Sequence, residues 1–343
     1  MAKAAELEIT TLGSYAYQAI QKHFNKILKY EKTVKNDKDP EALHQMRVGM
    51  RRLRSAVNGF TLAIDLPLQL QDKNIQKIAR SLGHLRDLDV LIENLENTYQ
   101  PHLPVREQEA LQAVFTVLEK QRKKALSHVK FTLKGECYKS FKKSSKQWLE
   151  EPLYQPSAWL SIEQVLADLL LPELSRFLLH PGLLVGTQIQ GQQVFIIKNW
   201  QASDLEKLLA IEGEHLHNIR KQAKRLRYQM ELFTNLGNEA YNSYLADIKG
   251  IQDVLGEMQD SEVLMSCLQQ VCKSDIDKNF PTLSILIGDN RYRIWQQWQK
   301  LQEKYTQPDE KDKFRSLFLN FAKQKYQNGI AQTKRLDRAE LFK

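Results

Sequence analysis

The chain contains an internal repeat, and nothing else in it restricts the fold as much. Shifted by 173 residues, Glu41–Leu95 falls on Glu214–Leu268 without a gap, with 17 identities over 55 positions. Glu41, Leu43, His44, Arg47, Arg52, Leu53 and Arg54 meet Glu214, Leu216, His217, Arg220, Arg225, Leu226 and Arg227. Further on, Leu82, Gly83, Asp87, Val90 and Leu91 meet Leu255, Gly256, Asp260, Val263 and Leu264. Helical composition alone does not make His, Arg, Gly and Asp coincide. The offset also holds across the intervening turn. The expected chain is therefore a duplicated unit that buries its apolar faces against its copy.

The unit is helical. Tyr17, Ile20, Phe24, Ile27 and Leu28 recur at three- and four-residue steps within a helix predicted over 14–29. Asp39 is placed to cap the next helix, with Pro40 at its first position. That helix is expected to reach about Ala63, and others to cover 71–99, 106–133, 135–148 and 162–179. Leu183–Lys198 breaks the pattern, with β-branched residues around Gln190-Gly191, and reads as a short hairpin or linker. Helices then resume over 203–209, 212–236, 239–272, 281–305 and from Lys311 onward. This gives an all-α expectation with a first half over 1–182, a linker over 183–202 and a second half over 203–343.

Composition narrows the class. With 343 residues, 42% of them apolar, the chain has ample core, and its scarce Gly (14) and Pro (10) favour long helices. No apolar stretch is long enough for a membrane span, and Met1–Thr10 lacks the pattern of a signal peptide. The three cysteines, Cys137, Cys267 and Cys272, form no CxxC pair, which suits a reduced, cytosolic chain. A net charge of +9 points toward a polyanionic partner without identifying it.

The placement of the cations says more. At 100° per residue, with His44 at about 0°, Arg47, Arg51 and Arg54 fall at roughly 300°, 340° and 280°. Met46, Met50, Leu53, Val57 and Phe60 fall on a separate, core-facing arc. The second copy repeats the basic arc with His217, Arg220, Lys224 and Arg227, and Lys221 and Tyr228 widen it. Arg52 and Arg225 point elsewhere, and for them a structural role is equally expected. Cations stacked on one helix face repel each other, so acids or a bound anion must compensate them. Asp87, Asp89, Asp260 and Glu262 are expected partners in the repeat, with Asp87 and Asp260 expected to orient arginines. Two basic faces packed about a pseudo-two-fold axis would line one groove. Arg offers bidentate bonds to phosphate, Lys a point charge, and protonated His a further donor.

Other signals are weaker. Neither His44 nor His217 has a second metal ligand at helical spacing, and Cys267 and Cys272 are too few for a zinc site. No metal and no cofactor are expected. Tyr292, Trp295, Trp298 and Tyr305 read as a core stripe before they read as base-stacking residues. Gly83 and Gly256 are expected to permit close helix packing. Walker, dinucleotide and nucleophile-elbow motifs are absent from the sequence.

The segments LHQMRVGMRRLRSAVNGF and LGHLRDLDVLI, with LHNIRKQAKRLRYQMELF and LGEMQDSEVLM, resemble the CHAD family, the conserved-histidine α-helical domain. The resemblance covers both halves. It implies two four-helix bundles related by pseudo-two-fold symmetry around a basic central groove. It also implies binding of inorganic polyphosphate, a cytoplasmic location, and association with polyphosphate granules. By position it carries this role to His44, Arg47, Arg51 and Arg54, and to His217, Arg220, Lys221, Lys224, Arg227 and Tyr228. Gln259 replaces the Arg found at Arg86, which departs from the pattern. Glu6-Leu-Glu8-Ile-Thr10 lacks the Lys of the ExExK signature found in triphosphatase domains of many relatives, so that activity is not expected. Non-catalytic polyphosphate binding is thus the leading expectation. A nucleic-acid-binding or scaffold protein is the alternative, and phosphoryl transfer through His44 or His217 a third.

Overall fold

A computed structural model describes residues 10–37, 39–272 and 276–320. The ExExK comparison, the side chain of Cys272 and the chain beyond 320 lie outside the described residues.

The fold is all-α. Helix α1 (Leu12–Asn36) starts at Thr11, whose hydroxyl accepts from the Ser14 amide at 3.3 Å. It ends at Asp37, whose backbone is left-handed (φ 51°) and whose carboxylate accepts two 3.0 Å bonds from Arg122. Helix α2 (Pro40–Gly59) begins as its sequence predicts, with the Asp39 carboxylate accepting from the Glu41 amide at 2.9 Å. It stops earlier than expected, because Ile64–Asp65 (β1) leaves to pair with Leu153–Tyr154 (β2). Helices α3 (Asp72–Asn94), α4 (Val105–Lys134) and α5 (Glu136–Glu150) complete the first set. Helix α3 is also shorter than expected, its last predicted residues forming a wider turn over Leu95–Tyr99.

Helix α6 (Ile162–Leu178) falls in the first half by sequence, yet it packs chiefly on α7 (Ala202–Glu231). Between them lies the hairpin, β3 (Thr187–Gln190) and β4 (Gln193–Ile196), with Gly191 at φ 62° in its two-residue turn. Helix α7 is one continuous helix where two were expected. Leu205, Leu209, Leu216 and Ile219 keep one buried phase throughout, so no break is needed at Ile211, which is exposed. Helix α8 (Glu239–Cys272), the short α9 (Ile276–Asn279), α10 (Pro281–Thr306) and a helical segment over 308–320 follow. No helix among the described residues is long and apolar enough to cross a membrane.

One apolar core runs through both helix sets. Trp295, Trp298 and Tyr305 are fully buried in it, as their spacing predicts, and Tyr292 and Cys267 pack at its edge. A buried carboxylate, Glu107 of α4, ties the two sets together. Its oxygens accept from the Thr282 and Leu283 amides at the start of α10, both at 3.0 Å. Unpaired amides at a helix N-terminus favour such an anion.

Candidate functional site

Helices α2 and α7 cross in contact with each other. Phe60 and Phe233 meet edge to face with ring centroids 5.7 Å apart, and Arg52 Nη2 reaches Glu231 at 3.1 Å. At Gly59 a Cβ would lie 2.5 Å from the Gln229 amide oxygen, so a side chain there would displace the end of that flexible Gln side chain. Three positions adjoin their own counterparts 173 residues away. Phe60 touches Phe233, Arg51 lies beside Lys224, and Asp87 lies beside Asp260.

Beside this crossing is an open cleft of about 850 Å³. Helix α2 contributes Arg47, Arg51 and Arg54, and α7 contributes Lys221, Lys224, Arg225 and Tyr228. The third wall is α3, with Asp72, Gln76, Arg80, His84 and Asp87, while Glu173 of α6 closes one side. Seven Arg and Lys side chains face three carboxylates.

The carboxylates do not neutralise the cations evenly. Asp72 takes two bonds from Arg54, Nε at 2.7 Å and Nη2 at 3.0 Å, and a third from Asn58 at 3.1 Å. Burial pushes the Asp72 carboxyl up, but the Arg54 hydrogen bonds and charge outweigh it and hold it below the usual range. Asp87 holds Arg47 at 3.2 Å, the orienting contact its sequence position suggests. Asp89 instead accepts from Arg122 at 2.7 Å, away from the arc. Glu173 is engaged by Gln222, whose amide donates at 2.8 Å. Among the described residues, Arg51, Arg80, Lys224 and Arg225 have no carboxylate within ion-pair distance.

Lys224 is the most perturbed of these. Burial, then the positive charges of Arg51, Arg47, Arg220 and Arg227, push its ammonium from 10.5 down to about 7. A lysine that sheds its proton near neutrality, among arginines that do not, marks a place where positive charge exceeds what the protein compensates.

The remaining sequence-predicted residues lie around the cleft rather than in its lining. Arg227 is 7% exposed, stacks on Tyr228 and comes within 3.7 Å of Glu231. Arg52 faces a second cavity on the other side of the crossing. His44 and His217 are half-buried and stand outside the lining. Burial, together with Arg86, Arg51 and Arg47 around His44 and Lys221 and Arg220 around His217, pushes both rings down despite nearby acids. Both rings therefore take up a proton less readily than a free imidazole in the absence of a bound anion. Arg220 lies near Asp260, whose carboxyl burial pushes up. Arg225, expected to point away, faces the cleft, because α7 presents to it a face rotated from the one α2 presents.

Two glycine expectations change. At Gly83 a Cβ would meet Arg47 Nε at an ordinary 3.7 Å, and at Gly256 it would meet nothing within 4 Å. Neither is needed for close packing. The sequence reading passed over Asp72, Gln76, Arg80 and His84, although their four-residue spacing puts them on one face of α3. Their counterparts, Leu245, Lys249, Asp253 and Glu257, are unlike them, so the repeat does not single them out.

The model of the CHAD domain matches residues 18–269. The chain belongs to the CHAD-domain family. Among solved structures, PptA from Streptomyces chartreusis superposes with a TM-score of 0.61 at 14% identity, covering 86% of this chain and 100% of that one. The CHAD domain from the plant Ricinus communis superposes at 0.51 with 22% identity, covering 92% and 96%. At such identities these likenesses establish the CHAD fold and leave function to the residues of the site. No curated protein sequence matches the chain.

Proposed function

We propose that this CHAD-domain protein binds inorganic polyphosphate in the cleft between α2, α3 and α7, without turning it over. The observation that carries the reading is Lys224, an amine without a carboxylate partner held among four arginines. A bound anion supplies the compensation that the protein withholds. Unpaired cations on α2, α3 and α7 line one open cleft, which suits a chain of repeating charges. Guanidinium groups bind phosphate oxygens in pairs, whereas they repel a metal ion.

Labelled long-chain polyphosphate, followed by fluorescence polarisation, tests the reading. Arg51→Glu combined with Lys224→Glu should lower affinity by roughly two to four orders of magnitude, since hydrogen bonds to charged groups contribute about 1.5–3 kcal/mol each. Affinity should also fall steeply with salt, as it does for other linear polyanions. An unchanged affinity in the double variant overturns the proposal. Duplex DNA or RNA that displaces polyphosphate at equal phosphate concentration would favour the nucleic-acid reading. Phosphate release, or phosphorylation of His44 or His217, would make the protein an enzyme. Residence at polyphosphate granules in the cytoplasm follows from the same reading, and a fluorescent fusion spread evenly through granule-bearing cells would contradict it.

A further inference from the structure

The α2–α7 crossing has a cavity on each side. The cleft, about 850 Å³, lies on one side, and a smaller cavity of about 320 Å³ on the other. Both are lined by Ser55 and Tyr228, the only residues they share. Tyr228 is 5% exposed. Its ring is in contact with two guanidinium groups, with Arg51 Cζ 4.7 Å and Arg227 Cζ 4.8 Å from the centroid. Such cation–π contacts strengthen where water is excluded. Arg51 faces the cleft, and Arg227 is turned toward Glu231. The ring is therefore held by two guanidinium groups.

The charges on the two sides differ. The cleft has cations that lack carboxylate partners. In the smaller cavity Arg52 is already matched by Glu231, and Lys22 is the remaining cation of the lining. A phosphate chain that crossed the ring would lose unpaired cations and meet a carboxylate.

We propose that Tyr228 is a specificity-determining wall that ends the cleft and limits how many consecutive phosphates of one chain the protein can cover. The inference rests on polyphosphate being the cleft's ligand, and it adds a stop to that reading. Removing the ring joins the cavities, so the space open to the chain grows by 320/850, about two-fifths.

The test is a length series. Tripolyphosphate and polyphosphates of increasing defined length are titrated calorimetrically into the full chain, and affinity per binding register is followed until it stops rising. Wild type should plateau at the length that fills the cleft, and Tyr228→Phe should share that plateau because the ring remains. Tyr228→Ala should move it to chains about two-fifths longer. Thr234→Trp, an exposed substitution that fills the smaller cavity, should leave the wild-type plateau and affinity unchanged. An unmoved plateau in Tyr228→Ala, or a shortened one in Thr234→Trp, overturns the wall. If Tyr228→Ala does not fold, as read by circular dichroism, the Thr234→Trp arm decides alone. Failure of wild type to bind any length refutes polyphosphate as the ligand, a result distinct from either plateau outcome.

Discussion

Replacing Lys224 by Met should stabilise the free protein and weaken its grip on polyanions at once. Lowering an ammonium from 10.5 to about 7 corresponds to roughly 5 kcal/mol, at about 1.4 kcal/mol per tenfold change in proton affinity. Lys224 is only partly buried, so solvent screening reduces this to about 3 kcal/mol. The sign follows from proton counting. Between pH 7 and 10.5 the unfolded chain holds a proton on Lys224 that the folded chain has released, so this group makes stability rise with pH there. Below pH 7 both states are protonated and the full penalty applies. The Met variant should thus gain most at pH 6, less at pH 8 to 9, and almost nothing near pH 10.5. Urea unfolding at these values, in buffers free of phosphate and sulfate, measures it. Bound polyphosphate should restore the ammonium, so wild type at pH 8 should take up close to one proton on binding. Calorimetry in buffers of different ionisation enthalpy reads that uptake, and the Met variant should lack it. A Met variant no more stable than wild type at pH 6, with no proton uptake by wild type at pH 8, would refute the reasoning.

Three further outcomes follow from particular contacts. Asp72→Asn should free Arg54 from its two bonds, raising polyphosphate affinity several-fold while costing about 1 kcal/mol in urea stability; lower affinity would mean that Arg54 acts only when oriented by Asp72. Glu107→Ala removes the carboxylate that caps α10 from α4 and should cost about 2 kcal/mol, seen as a lower thermal midpoint with polyphosphate affinity retained. Arg220→Glu should reduce affinity less than Arg51→Glu, because Arg220 stands outside the cleft lining; equal losses in a titration would place Arg220 on the ligand.

The helices were legible in sequence because their signals are local. The Asp39–Pro40 start of α2, the apolar steps of Ile20, Phe24 and Ile27 in α1, and the turn at Gly191 each depend on neighbours within a few residues. Helix ends were less legible. Whether α2 stops at Gly59 or runs on depends on Leu153–Tyr154, some ninety residues away, which recruits Ile64–Asp65 into a pair. The cations of α2 were legible for the same local reason, since three-, four- and seven-residue steps put Arg47, Arg51 and Arg54 on one side of any helix.

Sequence alone thus determined that the protein is helical, that two of its segments are alike, and that each carries a cationic stripe. Those properties follow from the period of the α-helix and need no partner. Tertiary structure decided which cations remain unpaired. Arg54 is quenched by Asp72, Arg227 is buried beside Glu231, and Arg225 shares with Lys221, Lys224 and Tyr228 the face that α7 turns to the cleft. It also decided that α3 walls the cleft and that Tyr228 divides the space. The physical reason is that charge is felt through space. Burial first, and then Arg51 and Arg47 on a helix far away in the chain, bring Lys224 down to about 7, and no spacing along the sequence records that distance.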